Sequence, residues 1–215
     1  MVIRAVEVFN GELYAAGTFD LAAQAGATIA RWSGLTWVPL KSGADHSSYM
    51  VDGYSLRVYN GELWFGGTAS VGHASLASWN GLLFTERSLR LASGGGCFVY
   101  ALHAADGIDG SNCLYAGGDF DTAASLTVNG TARWDGVDWF ALGTGVSRPA
   151  AGLIGVVKSL EDFDDGAGVA VYAGGDFDLA GGVSVANVAR WRGGAWSAVS
   201  AGLPDATPGA EVLAL

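Results

Sequence analysis

The chain has 215 residues, of which 50% are hydrophobic, 34 are glycine, 8 are tryptophan and only 15% are charged. Disordered chains have few aromatic residues and high charge, so this composition excludes that class. The 11 basic and 21 acidic residues give a formal net charge of −10, and no basic cluster suited to nucleic-acid binding is present. No apolar run approaches the roughly 18 residues of a membrane span. We therefore expect neither a nucleic-acid partner nor a membrane span.

Two short phrases recur along the chain at a spacing of about 50 residues, which is typical of repeat architectures. The first phrase reads Leu-Tyr-Ala-Gly-Gly-Asp-Phe-Asp in its third copy, and its copies begin at Leu13, Leu63, Leu114 and Val171. The second reads Arg-Trp-x-Gly-x-x-Trp, and its copies begin at Arg31, Ser78, Arg133 and Arg190. Residues that recur in every copy are expected to build the fold, because each unit faces the same packing problem.

Each unit reads as four short antiparallel strands. The first strand ends at Asn10-Gly11 and at Asn60-Gly61 in the first two units, and this dipeptide is typical of the type I′ hairpin turn. The second strand is the glycine-containing phrase, the third ends at a tryptophan, and the fourth begins at the next aromatic residue. Four antiparallel strands per unit at this spacing predict a β-propeller blade. A β-solenoid is the alternative, but its coils are usually shorter.

We therefore expect an all-β chain that forms one repeat domain over residues 1–215. Four complete propeller blades are predicted at residues 1–41, 51–91, 97–143 and 153–200, and residues 209–215 read as the inner strand of a fifth. The first blade already has its own inner strand, so this last strand is surplus. Two interpretations stay open: the chain is a piece of a longer repeat protein, or copies of it associate through their terminal strands.

The recurring aromatic, glycine and charged residues have structural interpretations. Aromatic residues five positions apart flank the turn between the third and fourth strands and can clamp the outer part of a blade. Paired glycines in the second strand predict the close approach of another backbone. Asp119 with Arg133, and Asp176 with Arg190, are predicted to form charge-assisted hydrogen bonds. The predicted structural residues are Trp32, Trp37, Trp79, Phe84, Trp134, Trp139, Trp191, Trp196, Gly17, Gly67, Gly118, Gly175, Asp119, Arg133, Asp176 and Arg190.

The order of the two phrases resembles the tandem repeats of large secreted or cell-surface bacterial proteins. It is also similar to the kelch-like repeats of the fungal cortical polarity-marker family. The residues that carry the resemblance are Leu114–Phe120 followed by Ala132–Trp139, and four such copies cover nearly the whole chain. The resemblance implies a propeller fold and a secreted or surface location, and it brings no common catalytic residues.

Residues with reactive or metal-binding side chains are sparse. The three histidines, His46, His73 and His103, have no His or Cys partner at metal-ligand spacing. The two cysteines, Cys97 and Cys113, are too few for a disulfide framework and are expected to remain thiols. No cofactor is expected.

The densest acidic segment is Glu161–Gly166, in which Asp162, Asp164 and Asp165 are the candidate ligands for calcium. A calcium loop of the EF-hand type needs a glutamate at its twelfth position, and counting from Asp162 that position is Ala173. A lengthened, solvated hairpin turn is therefore the preferred interpretation, and no metal site is predicted.

These observations favour a non-enzymatic interaction module that contacts protein or carbohydrate through the loops of its blades. The repeated phrases carry no catalytic constellation. One alternative is a carbohydrate-active enzyme of propeller type, a glycosidase or a lyase, which would need carboxylates converging on a pocket. A second alternative is a purely structural repeat without a ligand.

Overall fold

The computed structural model describes residues 2–21, 24–40, 50–69, 75–87, 89–90, 97–106, 108, 112–149, 152–199 and 212–215. Within these ranges the chain forms antiparallel strands and no α-helix, which confirms the predicted all-β class. Two compact units are present, residues 1–99 and residues 100–215. The predictions for His46, His73 and residues 209–211 lie outside the described residues.

Unit 1 contains two sets of four strands. Strand set 1 is a sheet in the order β1 (Val2–Phe9), β2 (Glu12–Leu21), β3 (Gln24–Trp32) and β4 (Trp37–Pro39). Strand set 2 has the same antiparallel order, with β5 (Met50–Tyr59), β6 (Glu62–Ala69), β7 (Leu76–Trp79) and β8 (Phe84–Arg87). Strand β9 (Leu89–Arg90) follows. The core of this unit includes Phe9, Tyr14, Leu63, Phe65 and Trp79.

Unit 2 has longer connections between its strands. In chain order its elements are β10 (Phe98–Ala105, whose first two residues belong to unit 1), β11 (Cys113–Asp119), β12 (Thr122–Ala123), β13 (Leu126–Thr127), β14 (Thr131–Trp134), β15 (Trp139–Ala141), β16 (Val146–Arg148), β17 (Leu153–Ile154), β18 (Val156–Asp164), β19 (Val169–Asp176), β20 (Leu179–Ala180), β21 (Val183–Ser184), β22 (Val188–Arg192) and β23 (Ala195–Ala198). Strand set 3 is β10, β11, β14 and β15, and strand set 4 is β18, β19, β22 and β23. The core of the unit includes Tyr115, Val157, Phe177, Trp191 and Trp196, and both cysteines are buried without a disulfide.

The predicted Asn-Gly turns are present at both hairpins of unit 1. Asn10 and Gly11 have φ angles of 52° and 77°, and Asn60 and Gly61 have 47° and 72°. Positive φ at both central residues is what a type I′ turn requires. This turn places Phe9 opposite Glu12 and thereby sets the register of the whole β1–β2 pair.

The aromatic pairs lie opposite each other across the last two strands of every set. Trp32 pairs with Trp37, Trp79 with Phe84, Trp134 with Trp139, and Trp191 with Trp196. The ring centroids are 5.3, 4.6, 5.2 and 5.3 Å apart in that order. These spacings are those of favourable aromatic contacts, so the pairs close the outer edge of each sheet as predicted.

The paired glycines of the second strands permit two kinds of close approach. A Cβ on Gly17 would overlap the carbonyl oxygen of Val2, and one on Gly175 would overlap that of Val156. The residue before the repeated glycine of each second strand meets a residue from a later part of the chain. A Cβ on Gly117 would lie 2.5 Å from Cγ1 of Val157, closer than carbon atoms can pack. The predicted close approach is confirmed at these positions.

Several segments outside the four strands expected of each unit form small sheets. The β20–β21 hairpin turns through Gly181 and Gly182, which have φ angles of 56° and 82°. Its first strand pairs with β16, where Val146 lies opposite Ala180. Pairs this short lack the alternating pattern that identifies strands in a sequence, so periodicity does not predict them.

Candidate functional site

A groove in unit 1 combines an aromatic wall with a pair of opposite charges. Glu12 and Tyr14 are two residues apart on β2 and so lie on one face of the strand, and Arg31 lies opposite Tyr14 on β3. The Tyr14 hydroxyl donates a hydrogen bond of 3.2 Å to Oε2 of Glu12. The Arg31 guanidinium donates to Oε1 of the same carboxylate. One carboxylate therefore holds a phenol and a guanidinium together.

The groove has a volume of roughly 580 Å³. The described residues that line it are Glu12, Tyr14, Arg31, Val38, Pro39, Leu40, Trp79 and Gly81. The side chains of Arg31 and Glu12 are 39% and 42% exposed, so both charges are accessible to a ligand. Burial, with the Glu12 charge second, raises the pKa of Tyr14, which keeps its hydroxyl protonated and able to donate.

Unit 2 contains a groove of the same chemical type, with a volume of roughly 400 Å³. Tyr172 lies opposite Arg190 in the register in which Tyr14 lies opposite Arg31. The carboxylate comes from Asp165, in the turn between β18 and β19, and it accepts hydrogen bonds from the Tyr172 hydroxyl and from Arg190. A backbone hydrogen bond from Ala167, with Arg190 as a further cause, lowers the pKa of Asp165.

Strand set 2 builds the same group from a different strand. Trp64 occupies the position of Tyr14, but the residue opposite it is Ser78 rather than arginine. The guanidinium of Arg87 on β8 fills the space instead, with its Cζ 4.6 Å from the Trp64 ring centroid. It donates to Glu62 at 3.0 Å and to the Ser78 hydroxyl at 2.9 Å. The sequence pattern did not predict this exchange, although Arg87 follows Ser78 by only nine residues.

The predicted pairing of Asp176 with Arg190 is wrong. Asp176 pairs with Arg148 of β16 at 2.6 Å, whereas Arg190 pairs with Asp165. The register explains the error: Arg190 lies opposite Tyr172, and Asp176 is four residues further along β19, which corresponds to about 13 Å. This offset of four residues is set by the strand register and cannot be deduced from the number of residues between Asp176 and Arg190.

The predicted pairing of Asp119 with Arg133 fails for the same reason. Arg133 lies opposite Tyr115, and its guanidinium stacks over the ring of Phe140 at 4.9 Å. Burial raises the pKa of the Asp119 carboxyl, Lys158 opposes this shift, and Asp121 adds to it.

The three candidate calcium ligands point to separate partners. Asp162 bonds to His103, and Asp165 to Tyr172 and Arg190. Oδ1 of Asp164 accepts 2.9 Å hydrogen bonds from the backbone N–H groups of Gly166 and Gly168. The three carboxylates therefore stabilise a turn and its surroundings, in line with the interpretation as a lengthened turn.

Unit 2 also contains a polar cluster outside its groove, formed by His103, Glu161 and Asp162. His103 is buried, and its Nε2 lies 2.7 Å from Oδ1 of Asp162 while its Nδ1 lies 3.6 Å from Oε1 of Glu161. The shorter distance is that of a hydrogen bond. A metal ion shared by two such atoms, with bonds of about 2 Å each, would hold them further apart. In this geometry the cluster anchors an imidazole between two strands.

No protein-family model matches the chain, and no curated protein matches it. None of the described residues belongs to a helix of the length and apolar character that crossing a membrane requires.

Proposed function

We propose that the protein is a non-enzymatic binding module that takes carbohydrate in the groove of unit 1 and, with the same chemistry, in the groove of unit 2. The observation that supports this is the recurrence of one group, an aromatic ring with a guanidinium and a carboxylate beside it, in both units. Sugar hydroxyls can donate to the carboxylate and accept from the guanidinium, which lie beside the ring. Ligand sites of this kind combine apolar walls with a few placed polar groups.

The proposal includes the architecture and setting expected from the sequence. Each strand set acts as one blade of a kelch-like β-propeller, the chain belongs to a secreted or surface-exposed repeat protein, and its partners are a glycan or a glycan-bearing protein together with further copies of the chain. The repeated aromatic pairs and glycine contacts support the blade interpretation, because every strand set has an aromatic pair between its last two strands and a close contact on its second strand.

Binding is tested by screening the purified chain against an array of glycans and measuring the hits by calorimetry. We expect two sites per chain. Arg31→Gln and Glu12→Gln should each weaken the unit 1 site by at least about tenfold, because a charge-assisted hydrogen bond contributes about 1.5–3 kcal/mol. The number of glycans bound per chain should then fall from two toward one. Arg190→Gln should weaken the unit 2 site by a similar factor.

Leu35→Ser is the matched control, because Leu35 is 92% exposed in the turn between β3 and β4 and does not line the groove. It should bind as the unchanged chain does. Absence of binding across the array, or equal binding by Arg31→Gln, would contradict the proposal. Release of sugar products during incubation would favour the glycosidase or lyase alternative.

A further inference from the structure

Small residues on the second strand of each set receive a residue from a later part of the chain. We call Gly66, Gly117 and Gly174 the glycine notches. A Cβ on these glycines would lie 2.5, 2.5 and 2.6 Å from Cγ1 of Val99, Val157 and Val212, respectively. At the corresponding position in strand set 1 the sizes are exchanged, since Ala16 carries a methyl group and meets Gly53, which has no side chain. The packing is therefore complementary in size at every notch position.

Ile3 has the position of a notch-filling residue but is uncovered. It lies opposite Gly17 on β2, as Val157 lies opposite Gly175 on β19. Val157 is completely buried in its notch, whereas Ile3 is 43% exposed. Its own strand therefore presents a notch-filling side chain to solvent.

The same face of β1 continues the exposed apolar row. Val6 corresponds in register to Leu160 of β18, and their exposures are 59% and 9%. Val8, two residues further along, is 58% exposed. An edge strand with three adjacent exposed aliphatic side chains is a template for association.

The Gly174 notch is filled by a segment that is not a strand. Val212 places its side chain there, and its backbone N–H donates a 3.0 Å hydrogen bond to the carbonyl of Gly175. Residues Val212–Leu215 have no strand pairing, and Leu213 is 67% exposed. In the other two notches the valine belongs to a paired strand, Val99 to β10 and Val157 to β18.

We propose that the apolar row of Ile3, Val6 and Val8 docks on the Gly174 notch of a second copy of the chain and displaces Val212 from it. The contact would continue, between two molecules, the packing that the Gly66 and Gly117 notches show within one. It joins two different surfaces, so copies associate head to tail. The inference rests on the self-association in the proposed function and is independent of ligand binding, because none of its residues lines a groove.

The test is the mass in solution, by light scattering and sedimentation equilibrium over a range of concentrations. Val212→Gly opens the notch and should strengthen association at least tenfold relative to the unchanged chain. Ile3→Asp should abolish association, alone and combined with Val212→Gly. Leu82→Asp is the matched control, because Leu82 is 78% exposed in the turn between β7 and β8, and it should behave as the unchanged chain does.

Three outcomes overturn the inference. If both the unchanged chain and Val212→Gly have the mass of one chain at every concentration, the notch is not filled by a second copy. Association that persists in Ile3→Asp places the contact on another surface. Association that Val212→Gly leaves unchanged shows that the Gly174 notch is not the receptor. Glycan calorimetry on Ile3→Asp separates this result from the groove proposal, since its binding should stay unchanged.

Discussion

At the scale of single residues, size complementarity at the glycine notches decides how closely successive strand sets approach within each unit. The total side-chain volume at such a contact must stay small. Two combinations meet this requirement: Gly117 with Val157, and Ala16 with Gly53. A large residue on one side requires a small one on the other. This relation is testable because both partners are known.

Gly117→Ala should destabilise the fold by about 1–3 kcal/mol, since its methyl group would overlap Val157. Adding Val157→Gly reproduces the Ala16–Gly53 combination and should recover part of that loss. Chemical denaturation of the two single variants and the double variant gives the coupling energy, expected at about 1–3 kcal/mol.

Gly61→Ala is the control for that cycle. No atom lies within 4 Å of a Cβ at Gly61, so its cost should come only from the φ of 72° and amount to about 1 kcal/mol. Val157→Gly should not rescue it. Additive free energies for Gly117→Ala and Val157→Gly would contradict the notch as a steric contact.

The two aspartates that end β11 and β19 should respond in opposite ways to neutralisation. Burial raises the pKa of Asp119 in the folded protein, so the protein binds its proton more tightly when folded. The stability from this group is present below its ordinary pKa of 3.8 and is lost as the pH rises through the folded value. Asp119→Asn should therefore raise the Tm at pH 7, and the difference should vanish below that ordinary pKa.

Asp176→Asn is the matched variant, because Asp176 has the same place in the repeated phrase but pairs with Arg148 at 2.6 Å. Its loss should lower stability by about 1 kcal/mol at pH 7. Thermal denaturation at pH 7 and pH 3.5 shows whether Asp119→Asn raises the Tm only at pH 7 and whether Asp176→Asn lowers it there. A lower Tm for Asp119→Asn at pH 7 would show that the Lys158 interaction outweighs the burial of Asp119.

At the scale of elements, the last two strands of each set are joined by an aromatic pair that a tight turn brings into register. In strand set 4 this pair has an additional anchor, because the indole N–H of Trp196 donates a 2.8 Å hydrogen bond to the carbonyl of Leu142. Both groups are buried, so the bond holds β23 against the segment that follows β15.

Trp196→Phe should keep the ring contact with Trp191 and lose this hydrogen bond, while the Leu142 carbonyl keeps the 3.0 Å hydrogen bond from the backbone N–H of Gly145. The expected cost is about 0.5–1.5 kcal/mol in the free energy of unfolding, because the carbonyl is not left without a donor. Trp37→Phe changes the same position of strand set 1, where the indole N–H makes no hydrogen bond to any described residue, and it should cost less than Trp196→Phe. Equal costs in denaturant titrations would assign the effect to ring size.

Sequence reasoning predicted these elements well and their partners poorly. The strands, the Asn10-Gly11 turn and the Trp191–Trp196 pair depend on neighbours within a few residues, where turn chemistry sets the geometry. The Asp176–Arg190 pairing failed because the register offset of four residues is not visible in spacing. The groove groups were missed because Asp165 and Arg87 reach them from different elements.

At the scale of the whole molecule, the charge of −10 and the uncovered row on β1 act in opposite directions. Copies of an acidic chain repel one another, and the range of that repulsion falls from about 14 Å at 0.05 M salt to about 3 Å at 1 M. An apolar contact gains from this screening, whereas a contact made by ion pairs would weaken.

The association constant of Val212→Gly should therefore rise between 0.05 M and 1 M sodium chloride, as measured by sedimentation equilibrium. Chloride is used because sulfate would strengthen apolar burial by a separate effect. Association that weakens with salt would indicate a contact carried by charges rather than by Ile3, Val6 and Val8.

The sequence by itself determined the all-β class, the recurring strands, the turns and the aromatic pairs, because each is set by residues close together in the chain. Tertiary structure alone decided which acid meets Arg31 or Arg190, which residue fills the Gly174 notch, and that Ile3 stays uncovered. Those outcomes depend on strand register and on contacts between distant segments. A period along the chain shows that units repeat, but packing decides which repeated side chain is buried and which remains available to a partner.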